Sequence, residues 1–127
     1  MEKRTFLIAD DIFTNQFLLE AILEDDLKLD CNCRMVQNGK AALDVLKSEK
    51  VDMVFMDIEM PIMNGLEATS VIKAEDSPYK NIPVIALTAH NLEEFKEMFG
   101  NTPFDSILEK PYSVERITEL LTEFNFV

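Results

Sequence analysis

The sequence predicts an α/β fold built around one open, parallel sheet. Short apolar runs with strand character alternate along the chain with segments whose apolar residues recur at helical spacing. Strands that alternate with helices pair in parallel through right-handed crossovers, and the helices then cover both faces of the sheet. The length of 127 residues suits a single domain with one core.

Five apolar runs are the predicted strands, and they span residues 5–9, 31–36, 51–56, 82–87 and 104–108. In doubly wound sheets, ligands bind beyond the carboxyl ends of the strands, where the strand order reverses. The flavodoxin-like order 2-1-3-4-5 places the first and third strands side by side at that point. We therefore predict a single-domain, doubly wound sheet of five strands over residues 1–127.

Four of the intervening segments have an apolar stripe that predicts a helix packed on the sheet. The stripes are Phe13, Phe17 and Ala21, with Leu18 and Ile22 as further candidates; Ala42, Val45 and Leu46; Leu92, Phe95, Met98 and Phe99; and Val114, Ile117, Leu120, Leu121 and Phe124. Leu92 and Phe95 are expected in the core, whereas Phe99 and Phe126 are expected to be exposed. Asn64 and Asn91 each precede a glutamate by three residues, which predicts two capping boxes.

The formal net charge of −12 disfavours direct binding to nucleic acid or to anionic membranes, because both require a basic face. No stretch is long and apolar enough to span a bilayer. The first apolar run reaches Asp10 before it would serve as a signal peptide, so we expect a cytoplasmic protein.

The two cysteines, Cys31 and Cys33, are predicted to be reduced core residues of one strand. Their spacing directs both side chains to the same face, and a disulfide across one intervening residue would be strained. Zinc is not expected, because the sequence has no second Cys/His pair and His90 is its only histidine.

Polar side chains follow four of the predicted strands. Asp10 and Asp11 end the first apolar run, Asp57 the third, and Thr88 and Lys110 the last two. Taken singly, such an aspartate is more often a helix cap or a solvated loop residue, the threonine a strand-end hydroxyl, and the lysine part of a turn. Because all of them fall at carboxyl ends of strands, they together predict a metal-assisted phosphoryl site.

Converging carboxylates repel one another, and a hard divalent ion such as Mg²⁺ relieves that repulsion. Asp11 and Asp57 are expected to be direct ligands, Asp10 to act more through water, and the backbone carbonyl of Glu59 to supply another oxygen. One oxygen of Asp57 then remains free to attack phosphorus, since aspartate is a known phosphoryl nucleophile.

Four segments of the chain resemble the receiver domain of two-component response regulators, and the likeness covers essentially the whole sequence. The segments are Leu7-Ile8-Ala9-Asp10-Asp11, Met56-Asp57-Ile58-Glu59-Met60-Pro61-Ile62-Met63-Asn64-Gly65, Pro83-Val84-Ile85-Ala86-Leu87-Thr88-Ala89 and Lys110-Pro111. The third and fourth of these segments, with Asn15 after the acid pair, are most similar to receivers of hybrid sensor histidine kinases.

The resemblance implies that Asp57 accepts a phosphoryl group from the phosphohistidine of a histidine kinase or a phosphotransfer domain. It assigns Asp10 and Asp11 to magnesium binding, Thr88 to a switch hydroxyl and Lys110 to contact with the phosphoryl group. Such a domain catalyses its own phosphorylation and hydrolysis and is not a multi-turnover enzyme. The switch would alter a partner-binding surface on the last two helices, for an effector or a dimer.

Three positions bear on how such a switch would work. In the family, the positions of Glu59 and His90 flank the path of attacking water, so the resemblance leads us to hypothesise that these two residues set the hydrolysis rate. The alternative for His90 is a passive residue on the surface at the start of a helix. Ile107 stands where the family often has Tyr or Phe, so rotation of an aromatic ring is not expected here.

Two other functions fit parts of the pattern. An aspartate-nucleophile phosphatase of the haloacid-dehalogenase type has a second acid two residues after the nucleophile, as Glu59 follows Asp57. The paired acids Asp10 and Asp11 argue against that enzyme. A receiver fold that signals without phosphorylation is the other alternative, and the complete set of acids, hydroxyl and amine makes it less favoured.

Overall fold

The computed structural model describes residues 3–127 and has the α/β architecture predicted from the sequence. Five parallel strands form one sheet in the order β2-β1-β3-β4-β5, so the predicted order is confirmed. The strands are β1 (Arg4–Ala9), β2 (Cys31–Val36), β3 (Met53–Asp57), β4 (Val84–Thr88) and β5 (Ser106–Glu109).

The last three strands begin two residues later and end one residue later than predicted. Apolar character located the strands correctly but misplaced their starts. Val51, Ile82 and Phe104 pack in the core beside the sheet, and they precede the first residue that pairs with a neighbouring strand. At the other end, a polar residue continues the ladder through its backbone: Asp57 pairs with Leu87. This backbone pairing places the polar side chains at the rim of the sheet.

The helices are α1 (Phe13–Ala21), α2 (Gly39–Ser48), α3 (Gly65–Ile72), α4 (Leu92–Phe99) and α5 (Val114–Glu123), and α1 continues into a π-helical turn (Ile22–Asp26). Both predicted capping boxes are present, with Asn64 and Asn91 as the caps. Asn38 caps α2 by accepting a hydrogen bond from the backbone N–H of Ala41. No helix within residues 3–127 is long and apolar enough to cross a membrane.

Apolar side chains fill the space on both faces of the sheet. One core cluster includes Phe6 and Phe55 from the sheet with Leu120 from α5. The other includes Leu7 from the sheet with Ile72 from α3. Helices on both faces therefore bury most of the three central strands, β1, β3 and β4, whereas the edge strands β2 and β5 are only partly buried.

The predicted core face of α1 is wrong at its aromatic positions, although Ile22, the last candidate of that stripe, is buried as predicted. Phe13 and Phe17 are 55% and 52% exposed, whereas Gln16 and Leu19 are buried. The side-chain amide of Gln16 donates hydrogen bonds to the carbonyl oxygens of Asp10 and Val36, both at 2.8 Å. These bonds satisfy a buried polar group, so the helix turns this face inward and leaves its aromatic pair outside.

Three further expectations about exposure are wrong. Leu92, expected in the core, is 51% exposed in the first turn of α4, whereas Phe95 is buried as expected. Phe99, expected to be exposed, is only partly so and packs against the cluster that includes Phe95. Phe126, expected to be exposed, is only partly so: it packs edge-on against Phe6 with 5.6 Å between ring centroids, and the guanidinium of Arg4 lies over its ring. Contacts between distant parts of the chain decide these positions, and helical spacing does not reveal them.

Candidate functional site

The carboxyl ends of β1 and β3 bring three aspartates together. One carboxylate oxygen from each of Asp10, Asp11 and Asp57 lies within 4.8 Å of the others. Asp10 is fully buried and Asp11 is exposed. The three acids therefore extend from beneath the rim of the sheet to solvent.

Lys110 reaches the same cluster from the loop after β5. Its ammonium nitrogen lies 3.3 Å from Oδ2 of Asp10 and 3.6 Å from Oδ1 of Asp57. Its backbone N–H donates to the carbonyl oxygen of Thr88 at 2.7 Å, which fixes the loop against the end of β4. One cation is thus shared between two of the three acids.

The hydroxyl of Thr88 lies at the end of β4, where its side chain is 5% exposed and accepts a hydrogen bond from the N–H of His90. Thr88, Asp57 and Lys110 line an open cleft of about 400 Å³. His90 and Glu59 also line it, as do Ile12, Met98 and Phe99. All the polar residues predicted to act together are therefore within or beneath one cleft.

The pKa of Asp57 is raised from its ordinary value of 3.8 to about 6, chiefly because the carboxyl is buried. The neighbouring acids Asp10 and Asp11 also contribute to the rise, while Lys110 and the N–H of Ile58, which donates to Oδ1, oppose it. Crowding and desolvation outweigh the single cation, so this cluster favours an added proton or an added positive ion.

The acids differ in how far their oxygens are already engaged. Asp10 accepts from the N–H of Ile12 through Oδ1 and from Lys110 through Oδ2. Asp11 is exposed at the mouth of the cleft. A hard divalent ion that keeps most of its waters and takes one or two carboxylates fits this donor set, with Asp11 and Asp57 more available than Asp10.

Glu59 and His90 both line the cleft. Glu59 is exposed two residues beyond β3. His90 is partly buried, and its Nδ1 lies 3.7 Å from a carboxylate oxygen of Glu94 on α4. Both side chains are near enough to the cleft to meet water entering it.

Ile107 lies outside the cleft. It pairs in register with Ala86 and packs against a small cluster that includes Phe95, Phe99 and Phe104. It also lines a groove of about 580 Å³ between α4, β5 and α5. The position therefore connects the end of β4 with that groove through aliphatic and aromatic packing.

Two residues that support the site were missed in the sequence. Gln16 connects the ends of β1 and β2 through its buried amide, as described above. Gly65 approaches the end of β3 so closely that a Cβ atom there would overlap the carbonyl oxygen of Asp57. A glycine at the first position of a helix was the only signal for the second, and nothing in the sequence indicated the first.

The fold and the site together define a phosphoryl-transfer signalling module of the doubly wound class. A sequence model of the response regulator receiver domain matches residues 6–122, and the chain belongs to that family. It is a receiver domain of two-component signalling.

Similar proteins include receivers within much longer kinases. The chain is 32% identical over 120 residues to the sensor histidine kinase GacS of Pseudomonas protegens and 35% identical over 122 residues to the aerobic respiration control sensor protein ArcB of Escherichia coli K12. In each case 93% of this chain is covered, but only 13% of GacS and 15% of ArcB. The chain thus spans a small part of these relatives.

Solved receivers have the same fold. The receiver domain of sensor histidine kinase PA1611 from Pseudomonas aeruginosa PAO1 superposes with a TM-score of 0.80 at 26% identity, covering 97% of this chain and 98% of that one. That structure has a magnesium ion coordinated in its active-site cleft. The chemotaxis response regulator CheY4 of Vibrio cholerae has a TM-score of 0.81 at 22% identity, over 97% and 99% of the two chains, and supports the fold alone.

Proposed function

We propose that residues 1–127 form one phosphoacceptor domain of a phosphorelay, in which Asp57 takes a phosphoryl group from a phosphohistidine. The donor is a histidine kinase or a histidine phosphotransfer domain. One observation carries the proposal: Asp57 shares its cleft with two further acids and with the ammonium of Lys110, and burial raises the pKa of Asp57. This surrounding suits a nucleophile that works with a cation.

The geometry suggests how the residues divide the reaction. Oδ1 of Asp57 accepts from the N–H of Ile58, so Oδ2 is the oxygen we assign to the attack. The new O–P bond forms as the N–P bond of the donor breaks, and the leaving imidazole keeps the electron pair and takes a proton. Lys110 stabilises charge on the phosphoryl oxygens, and the hydroxyl of Thr88 donates a hydrogen bond to one of them.

Magnesium fits the acid cluster as the cation of this reaction, in agreement with the ion in the PA1611 receiver. We assign Asp11 and Asp57 as direct ligands, the backbone carbonyl of Glu59 as another, and Asp10 as a partner acting through water. When bound, the ion neutralises part of the charge on the transferring group. Glu59 and His90, at the sides of the cleft, are proposed to control how readily water hydrolyses the acyl phosphate.

Phosphorylation would change the shape of the groove between α4, β5 and α5, where a partner binds. In the unmodified protein Lys110 contacts the carboxylates of Asp10 and Asp57. A phosphoryl group on Asp57 offers new acceptor oxygens to Lys110 and to the hydroxyl of Thr88, and these contacts bias the loop leading into α4. Ile107 follows that movement through packing, without an aromatic rotation. An effector, or a second copy in a dimer, would bind on the last two helices.

Several properties follow from this role. The domain would modify and demodify itself rather than turn over a free metabolite. It would meet its kinase on the cytoplasmic side, as a stand-alone regulator or as part of a hybrid kinase. We propose no direct binding to nucleic acid or membrane, because the charge of −12 opposes both.

The proposal is tested by incubating the protein with Mg²⁺ and a small acyl phosphate and then measuring its intact mass. We expect one labile phosphoryl group that is lost in Asp57→Asn and retained in Asp44→Asn, which changes an exposed aspartate on α2. An unmodified wild-type protein would favour an interaction module. Steady turnover of a phosphate ester would favour a phosphatase, and an undiminished adduct on Asp57→Asn would place the acceptor elsewhere.

A further inference from the structure

A second group of possible metal ligands lies away from the cleft. Cys31 and Cys33 alternate on the edge strand β2, so their thiols face the same side of the sheet. Glu24 reaches them from the π-helical turn. One ligand atom from each of the three residues lies within 4.8 Å of the others.

The π-helical turn is the unusual element that supplies the third ligand. The N–H of Leu27 donates to the carbonyl oxygen of Ile22 at 2.9 Å, five residues back. Turns of this width are rare and occur frequently at functional sites. Here the turn buries Ile22 and Leu23 in the core and leaves Glu24 exposed beside the thiols.

Negative charge surrounds the two thiols. The carboxylate of Glu24 lies beside both thiols, Asp30 is near Cys31, and Glu20 is near Cys33. The cation near Cys31 is Lys3, and it is paired with Asp30 at 3.5 Å. An added cation would relieve this crowding.

We propose that Glu24, Cys31 and Cys33 bind a thiophilic divalent ion of the zinc type, with water as the fourth ligand. Two thiolates and one carboxylate suit zinc, whereas magnesium and calcium prefer oxygen ligands alone. The ligand atoms of a tetrahedral zinc site are separated by about 3.5–3.8 Å, so the cluster needs only a small closure. On binding, each thiol loses its proton to solvent and becomes a ligand thiolate.

The cluster is separate from the phosphoacceptor cleft. Cys31 pairs in register with Arg4 at the start of β1, whereas Asp10 follows the end of that strand. The site therefore goes beyond the proposed function and does not depend on it. A bound ion would connect the edge strand β2 to the turn after α1 and stabilise the folded state by mass action. The proposal reverses the expectation from the sequence that zinc does not bind, because that expectation considered only Cys and His, whereas the third ligand is a carboxylate on another element.

The test uses the full chain, reduced with a phosphine, freed of metal with a chelator and kept in excess Mg²⁺. Cobalt(II) is then added while thiolate-to-cobalt charge-transfer absorption is measured in the near ultraviolet. We expect one equivalent to bind through sulfur and to be displaced by zinc. Cys33→Ala should abolish the absorption, and Glu24→Gln should weaken zinc binding by about tenfold or more.

Two matched controls keep the result specific. Glu93→Gln removes an exposed acid on α4 and should bind like the wild type. Asp57→Asn should retain the cobalt absorption although it loses the phosphoryl adduct, so the two proposals fail separately. Glu24 is exposed, so Glu24→Gln should fold normally. Cys31 is buried and a change there could unfold the protein, so the test of the thiol ligands uses Cys33→Ala.

Three results would overturn the proposal. The first is a reduced wild-type protein that gives no thiolate–cobalt absorption. The second is absorption that persists in Cys33→Ala. The third is zinc affinity that is the same in Glu24→Gln and in the wild type, which would remove the carboxylate from the site. As a further measure, zinc should raise the Tm of the wild type and leave that of Cys33→Ala unchanged.

Discussion

Aspartates lie near both ends of the strands of the central sheet, and their surroundings differ. We call the side where the strands begin the amino edge and the side where they end the carboxyl edge. At the amino edge, Asp52 accepts a hydrogen bond from the N–H of Thr5 at 2.8 Å and lies 3.8 Å from Arg4. In the same way, Asp105 accepts from the N–H of Val84 and from the ammonium of Lys73, both at 2.7 Å. Each of these acids has its own backbone donor and its own cation.

At the carboxyl edge, three acids lie together and two of them, Asp10 and Asp57, share the one lysine. The pKa of Asp57 is raised to about 6, chiefly by burial. The chemistry of the side chain is the same at both edges, so the number of partners makes the difference. Acids that are matched one to one support the fold. Acids that outnumber their cations weaken the fold and are suited to binding an ion or reacting.

The largest expected effect is at the amino edge. Asp105→Ala removes the acceptor of the Val84 N–H and the carboxylate partner of Lys73, whose side chain is only 14% exposed. We expect the free energy of unfolding to fall by about 2–3 kcal/mol, measured by urea denaturation. Asp30→Ala, which breaks an exposed ion pair with Lys3, should change it by less than about 0.5 kcal/mol. Equal effects would remove the distinction between matched and exposed acids.

A change of opposite sign is expected at the carboxyl edge. A rise of the Asp57 pKa to about 6 corresponds to at most about 3 kcal/mol of destabilisation at neutral pH. Allowing for solvent in the open cleft, Asp57→Asn should raise the free energy of unfolding by about 1–2 kcal/mol in the presence of a chelator. Saturating Mg²⁺ should stabilise the wild type and so reduce the difference in the free energy of unfolding between Asp57→Asn and the wild type. A destabilised Asp57→Asn protein would mean that Lys110 already balances the acids.

The pH dependence of that difference follows from the raised pKa. Because the folded-state pKa of about 6 exceeds the ordinary 3.8, the protonated acid favours folding. That contribution is complete below the ordinary pKa and is lost as pH rises through 6. The free energies of unfolding of the wild type and of Asp57→Asn, measured by denaturation, should therefore be similar near pH 4 and should differ by pH 7. A difference that does not vary with pH would exclude the ionisation of Asp57 as its cause.

The smallest effect on stability is expected for the residues at the sides of the cleft. Glu59→Ala with His90→Ala should change the free energy of unfolding by less than about 0.5 kcal/mol, because neither residue is fully buried. The half-life of the phosphoryl group should nevertheless change severalfold, as followed by intact mass after removal of the donor. An unchanged half-life would mean that water reaches the acyl phosphate without contacting either side chain.

Much of the carboxyl edge was predictable because its information is local. A polar residue that ends an apolar run marks a strand end, and parallel pairing brings such ends together, so Asp10, Asp57 and Thr88 were found from the sequence. The capping boxes at Asn64 and Asn91 are equally local. The starts of the strands were misplaced because, in the sequence, an apolar residue that packs beside the sheet cannot be distinguished from one that pairs within it.

The amino edge and the outer surfaces were not predictable in the same way. The partners of Asp52 and Asp105 come from distant segments, and Gln16 rather than the aromatic stripe faces inward on α1. The carboxylate of Glu24 lies within 4.8 Å of the two thiols of the edge strand β2 because a π-helical turn after α1 brings it there. Each case depends on which hydrogen bonds and contacts are satisfied across the fold.

Alternation of strands and helices, and the polar residues at strand ends, were sufficient to specify the sheet and the place where its acids meet. The balance of charge there was left to packing, because the pKa of Asp57 depends on how deeply it is buried and on how many cations reach it. The tertiary structure also decided which face of a helix points inward: on α1, the amide of Gln16 donates to two carbonyl oxygens, and that face is buried while the aromatic residues are exposed.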